Sequence, residues 1–247
     1  MTTVLKLGGS VITDKDRAET VDGEALDRAA DAVARASDDL VVVHGGGSFG
    51  HHNAEAHGVS TTAGTHEIEG LTEIHSAMKA LNGLVLRRLH DRDVPAVPVH
   101  PFSAASRDSG GELTLPAEQV ATLRAEGFVP VLHGDVIAHR GEGVTVLSGD
   151  EIVTSLARSL DADRVGLCST VPGVLDEDGD VVARIEAFAD VAAAVGASES
   201  TDVTGGMAAK VRALLDLPVT AHVFGLDGLD AFLAGESPGT AVGGADE

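Results

Sequence analysis

The chain has 247 residues, 39 acidic against 17 basic, a formal charge of −22 and 43% apolar content. A surface that acidic repels nucleic acid and anionic membranes and excludes both as partners. The apolar fraction and the even spread of carboxylates along the chain exclude disorder.

The length suits one large α/β domain with a substantial core, and the charge suits high salt, where screening relieves self-repulsion. One cysteine, Cys168, allows no intrachain disulfide. Its setting, Val165-Gly166-Leu167-Cys168, reads as buried strand with a structural thiol. With no signal peptide and no membrane-length apolar run, these features predict a cytoplasmic protein. Only four of the 17 basic residues are lysine, at 6, 15, 79 and 210. Three of them, Lys6, Lys15 and Lys210, stand in or beside glycine-rich or strand-end motifs, where phosphoryl chemistry requires a compact ammonium. Lys79 falls within a helix and reads as surface.

Residues 3–7 predict a first strand, with Lys6 near its end and Gly8-Gly9-Ser10 after it as a phosphate cradle. A helix over 24–37 leads to the organising stretch, VVVHGGGSFGHH from Val41 to His52. There a buried strand runs into three consecutive glycines, so backbone N–H groups can converge on an anion. His51 then brings an imidazole beside that anion. Gly45, Gly47 and Gly50 also match a dinucleotide fingerprint. That fingerprint needs an acidic residue at the end of the next strand, and Glu67 and Glu69 instead open a helical stretch.

Residues 52–65 read as a mobile loop or short helix. Next, Ile68, Leu71, Ile74, Met78, Leu81, Val85 and Leu89 form an apolar stripe at helical spacing. The stripe is core, or the wall of a pocket for an acceptor with an apolar tail. Residues 96–100 predict a strand, 102–115 a polar loop, 116–126 a helix and 129–132 a strand, followed by His133-Gly134-Asp135. A strand over 144–147 runs into Ser148-Gly149-Asp150-Glu151, where Asp150 reads equally as a helix-start carboxylate or as an anchor for lysines.

A strand over 164–169, a hairpin over 171–185 around Asp178-Gly179-Asp180, and a helix through 217 opened by Gly205-Gly206 complete the phosphate site, with Lys210 one turn in. The last strand falls at 220–224 and a short helix at 229–233, with a loose tail from 235. His51, His52, His57 and His66 have no helical ligand spacing, so no metal site is assigned. The remaining histidines are expected on the surface. The Walker and protein-kinase signatures are both missing.

The KLGGSVIT run from Lys6, HGGGSFGH from His44, HGD at His133, SGDE at Ser148 and DVTGGM at Asp202 resemble the amino acid kinase superfamily. They most resemble its archaeal isopentenyl phosphate kinases, in order and over nearly the whole chain. The resemblance implies an open three-layer α/β/α sandwich with a mostly parallel central sheet, usually a homodimer. It is a single domain over 1–247, with an acceptor lobe at about 1–150 and a nucleotide lobe at about 151–247. It implies transfer of the γ-phosphate of ATP, as the Mg2+ complex, to isopentenyl phosphate, in isoprenoid precursor synthesis by an alternative mevalonate route.

By the same resemblance Lys6, Lys15, His51 and Asp150 are catalytic, and Gly46, Gly50, His51 and Gly149 hold the acceptor. Lys6, Gly8, Gly9, Ser10, Gly47, Ser169, Gly206 and Lys210 hold the nucleotide. Relatives often carry an acidic residue where this chain reads Ser169-Thr170-Val171-Pro172-Gly173-Val174, which leaves donor choice open. Fosfomycin kinase, acting on a phosphonate, is the nearest competitor. A non-catalytic nucleotide sensor of the same fold would be signalled by loss of a lysine or a glycine turn, and none is lost.

Overall fold

The computed structural model describes residues 1–36, 39–192 and 206–244. Its strands are β1 (Thr3–Leu7), β2 (Leu40–His44), β3 (Ala96–Pro98), β4 (Ser106–Arg107), β5 (Leu113–Thr114), β6 (Val129–His133), β7 (Asp135–His139), β8 (Gly143–Leu147), β9 (Arg164–Ser169), β10 (Arg184–Ile185), β11 (Ala221–Gly225) and β12 (Thr240–Val242). The α-helices are α1 (Gly9–Ile12), α2 (Gly23–Arg35), α3 (Gly47–Ala56), α4 (Ile68–His90), α5 (Glu118–Ala125), α6 (Gly149–Ser159), α7 (Gly206–Leu215) and α8 (Leu229–Leu233).

The main sheet runs β10-β12-β11-β9-β1-β2-β6-β3 and is parallel except for the β11–β12 pair. Its central strands are continuous β-branched and aliphatic runs because both faces are covered. The period of two decides what each face meets. Leu5, Leu7, Val42 and Val131 pack with Leu26, Ala29 and Leu81 of α2 and α4. Val4, Val41, Val43 and Leu132 pack with Ile152, Val153 and Leu156 of α6 and Val211 of α7. The result is the expected α/β/α sandwich. Lys6 follows the parity of Val4, so its side chain leaves the sheet on the α6 side.

The turns that start these helices have local causes. Asp22 accepts a hydrogen bond from the Ala25 amide at the start of α2. Ser148 and Glu151 form a reciprocal capping box on α6, satisfying backbone donors that have no partner within the helix. A four-stranded sheet, β5-β4-β7-β8, sits beside the main one.

Several local expectations change. The 102–115 loop contributes the short strands β4 and β5, which extend the small sheet. The stretch after His52 continues as helix to Ala56 and is then tied to β8, with reciprocal Thr65–Val144 amide bonds of 3.0 Å. The 171–185 hairpin reduces to an antiparallel Leu175–Val181 bridge, and its far end joins the main sheet as β10. The tail is not loose over residues 235–244, because β12 pairs with both β11 and β10 and Thr240 is fully buried. Ile68 is 70% exposed and lies outside the core stripe. The Asp202 to Gly205 part of the DVTGGM run lies outside the described residues.

Candidate active site

From β1 the chain goes to β2 on one side and later to β9 on the other. Parallel sheets open a crevice at the carboxyl ends of such a pair. A cavity of about 1070 Å³, open mouth included, lies there. Gly9, Gly47, Gly149 and Gly206, the first residues of α1, α3, α6 and α7, all line it. Three of these helices are ten or more residues long, so their dipoles and unpaired amides add up to a strong preference for phosphate.

The glycines also let the two cradles touch. A Cβ on Gly9 would lie 2.1 Å from the Gly47 nitrogen, and one on Gly45 would lie 2.7 Å from the Gly9 nitrogen. Gly47 has φ of +49°, and its Cβ would meet the Thr13 hydroxyl at 2.1 Å. That hydroxyl accepts from the Ser48 amide at 3.0 Å and donates to the Gly9 carbonyl at 2.8 Å, locking turn to turn. Glycine at 45 to 47 therefore serves backbone-to-backbone packing as well as anion approach.

Lys6 Nζ donates to Asp150 Oδ1 at 2.8 Å in the cavity wall. Burial pushes the Asp150 carboxyl upward, but the charges of Lys6 and Lys210 outweigh it and hold the group below the usual carboxylate range. Ser148 is the helix cap, and Asp150 fills both roles read for it, as a carboxylate in the first turn of α6 and as the partner of Lys6. His51, in the second turn of α3, lines the cavity, as do Gly8, Ser10, Gly46, Gly50, Ser169 and Lys210. Lys15 is not in this group. It is exposed on the loop after α1 and borders a neighbouring depression that shares Ser10 and Thr170 with the cavity.

At the α4 side the wall turns apolar, with Ala54, Ile74, Met78 and Val146. Met78 Sδ would lie 2.9 Å from a Cβ on Gly50. Behind this wall runs a polar belt that contradicts the expectation of surface histidines, since His44 and His133 are fully buried and His222 is 7% exposed. His133 Nε2 lies 2.8 Å from His100 Nδ1, His44 stacks on His133, and His75 Nδ1 donates to Asp135 at 2.9 Å. Burial drives the His44 and His133 imidazoles below their ordinary value and the Asp135 carboxyl above its own. Burial likewise takes the Cys168 thiol up to about 12, as befits a structural residue.

Among site-supporting residues, Arg107, Glu151, His75 and Asn82 escaped the sequence reading. The Ser148-x-x-Glu151 spacing is a readable capping signal. Nothing local marks the other three, whose partners lie far away in sequence. Among the described residues no three or more His, Cys, Asp or Glu side chains gather as metal ligands. Among the described residues no helix is long and apolar enough to cross a membrane.

The amino acid kinase family matches residues 1–220. The isopentenyl phosphate kinase of Haloferax volcanii is 63% identical over 243 residues, covering 98% of both chains. That of Methanocaldococcus jannaschii is 31% identical over 98% of both. A solved isopentenyl phosphate kinase superposes with a TM-score of 0.82 at 27% identity, covering 97% of this chain and 98% of that one. Two near-full-length relatives above 30% identity carry the finer assignment: this chain belongs to the amino acid kinase family and, within it, to the isopentenyl phosphate kinases.

Proposed function

We propose that the protein transfers the γ-phosphoryl group of MgATP to isopentenyl phosphate, giving isopentenyl diphosphate and ADP as a step of isoprenoid precursor synthesis. The observation that carries this is one cavity whose wall combines glycine-led helix starts and Lys6 with the apolar side chains of Ala54, Ile74, Met78 and Val146. The first suits two sets of phosphates and the second a short hydrocarbon tail.

An oxygen of the acceptor phosphate attacks the γ-phosphorus, and the bond from that phosphorus to the β–γ bridging oxygen breaks, so ADP leaves with the electron pair. The acceptor oxygen is already ionised near neutrality and needs no strong base. Catalysis is then in-line positioning and charge compensation. His51 takes the acceptor phosphate with the amides of Gly46 and Gly149, while Gly50, whose amide donates to the Gly46 carbonyl at 2.9 Å, lines the acceptor side without a side chain. Lys6, aimed by Asp150, sits over the transferring group. Gly8, Gly9, Ser10, Gly47, Ser169, Gly206 and Lys210 hold the nucleotide, and Lys15 stands outside the cavity, beside the neighbouring depression.

Mg2+ would come with the nucleotide and would supply charge neutralisation for its phosphates. This fits a wall whose two carboxylates, Asp135 and Asp150, are already engaged by His75 and Lys6. Residues 1–150 act as the acceptor lobe and 151–247 as the nucleotide lobe of a cytoplasmic homodimer.

The test is ADP release in molar KCl with isopentenyl phosphate, dimethylallyl phosphate, fosfomycin, glutamate and carbamate side by side. Turnover with isopentenyl phosphate is expected. Turnover with fosfomycin alone, or silence with all five while ATP still binds, overturns the reading.

A further inference from the structure

Arg107 lies in the two-residue strand β4 of the small sheet, far from the cavity in sequence and absent from its wall. It is 7% exposed. Its Nη2 donates to Glu151 Oε1 at 2.6 Å and to the Val146 carbonyl at 3.3 Å, and Nη1 reaches the Gly111 carbonyl at 3.4 Å. The Nε is buried without a partner. A guanidinium taken this far from water carries a desolvation cost, which its paired carboxylate has to offset.

That carboxylate does a second job. Glu151 Oε2 accepts from both the Ser148 amide and the Ser148 hydroxyl at 2.9 Å, while the Ser148 hydroxyl accepts from the Glu151 amide at 3.2 Å. Between these two residues stand Gly149 and Asp150. A Cβ on Gly149 would lie 3.1 Å from Lys6 Cε, and Asp150 holds Lys6 Nζ. The turn that packs against and aims Lys6 is thus clamped by one carboxylate, and that carboxylate is fixed by one buried cation.

We propose that Arg107 is a positioning residue: its guanidinium fixes Glu151 and cancels its charge at the start of α6, so the Ser148 to Asp150 turn can present Lys6 and the Gly149 amide to phosphate. Two effects follow if Arg107 is neutralised. A bare carboxylate, its side chain 34% exposed, is left close to an anion-binding turn, where it opposes phosphate. The turn also loses its outer anchor. Removing the Glu151 charge as well cures the first effect, because a glutamine oxygen still accepts at the cap.

The inference rests on the phosphate-transfer reading above, so its test separates the two. Wild-type protein without turnover strikes that reading, and an unaffected Arg107 variant in an active background strikes this one. The set is R107M, R107K, E151Q and R107M/E151Q, with steady-state constants for both substrates, inorganic phosphate binding by calorimetry, and thermal unfolding. R107M is expected to lower kcat/KM for isopentenyl phosphate at least tenfold, mainly through acceptor KM, and to weaken phosphate binding tenfold. Its KM for ATP should change less than threefold.

R107K keeps the charge without the fork and should fall between wild type and R107M. R107M/E151Q should recover most of the lost acceptor KM, which a purely structural contact would not do. An R107M variant equal to wild type overturns the proposal. So does a double variant as impaired, or as unfolded, as R107M.

Discussion

Lys6 at the end of the first strand and Asp150 at the start of α6 meet at 2.8 Å across 144 residues of sequence. The strand's two-residue period turns Lys6 toward α6, and the capping box sets the turn that carries Asp150. An ammonium held this way is preorganised for the charge of the transferring group and needs no rearrangement during reaction.

Lys6→Met should therefore lower kcat by about 10²–10³-fold, the range for losing one preorganised electrostatic donor. Asp150→Asn should lower it less and should also change acid stability. The folded carboxyl lies below its unfolded value of about 3.9, so its contribution is complete above that value and disappears as pH falls through the folded one. Urea unfolding across pH 5 to 2 should show wild type losing more stability than D150N. Parallel curves would remove the ion pair from the stability account.

His51 lies where the glycine turn of α3 meets the apolar recess. Its replacement by alanine should abolish or severely slow transfer while leaving ATP binding nearly intact. Glutamine, which still donates to phosphate, should be milder. Kinetics and ATP calorimetry on both variants check this, and near-normal turnover in H51A would sink the assignment.

Legibility in the sequence followed the range of the forces involved. The glycine cradles after β1 and β2 could be read because a strand, its glycines and the following helix start are contiguous. Their convergence follows from parallel pairing alone. The nomination of His51, Lys6 and Lys210, which all line the cavity, came from the same local runs, reinforced by the scarcity of lysine.

What could not be read depends on long-range burial. His133 looks like any histidine at a strand end until β2 and α4 enclose it. Arg107 looks like a loop cation until β4 pairs with β7. Lys15 marks the opposite limit, since a motif neighbour of the phosphate cradle need not share its cavity. The tail misled for a further reason: glycine and acidic residues suit a loose end, yet three residues, Thr240 to Val242, suffice to form a strand between β11 and β10.

The buried histidines impose their own pH dependence. His44 Nδ1 lies 3.1 Å from the Gly45 carbonyl and His133 Nδ1 2.9 Å from that of Gly134, so both rings are assigned the Nδ1–H tautomer. The Nε2 of His133 then accepts from His100. The Nε2 of His44 needs a donor, while Asn82 has its oxygen 3.2 Å away and its Nδ2 buried without a partner. Turning the Asn82 amide by half a rotation satisfies both groups. Nitrogen NMR of the imidazoles should show Nδ1–H for both, and an Nε2–H signal for His44 would overturn the assignment.

Because burial lowers the folded His44 and His133 values, both must gain a proton on unfolding below the unfolded value of about 6.5. Stability is unaffected above that pH and falls as pH drops below it, by at most about 2 kcal/mol per such histidine between pH 6.5 and 5. Asp135 acts in the opposite sense, since its raised carboxyl favours the fold at low pH and loses that contribution as pH rises. Comparing wild type with H133N isolates one histidine. The variant should show a smaller stability difference between pH 7.5 and 5, and an equal difference would exclude His133 as a neutral buried group.

Two glycines test the packing argument from opposite sides. A Cβ on Gly9 would meet backbone atoms of Gly47 at 2.1 and 2.7 Å and of Gly45 at 2.9 Å. No side chain can rotate away to relieve that, so the two cradles must separate. Gly9→Ala should cost at least about 3 kcal/mol, the upper end for overpacking, and should remove activity even where the fold survives. Gly83, exposed midway along the 23-residue α4, has nothing within 4 Å of the same added atom. Gly83→Ala should stabilise by about 0.5–1 kcal/mol through helix propensity with unchanged kinetics. Denaturant unfolding and ADP release on both variants decide the matter. A tolerated G9A would mean that the cradles do not need backbone contact, and a destabilising G83A would mean that α4 packs against something at that position in solution, as a second copy of this chain would.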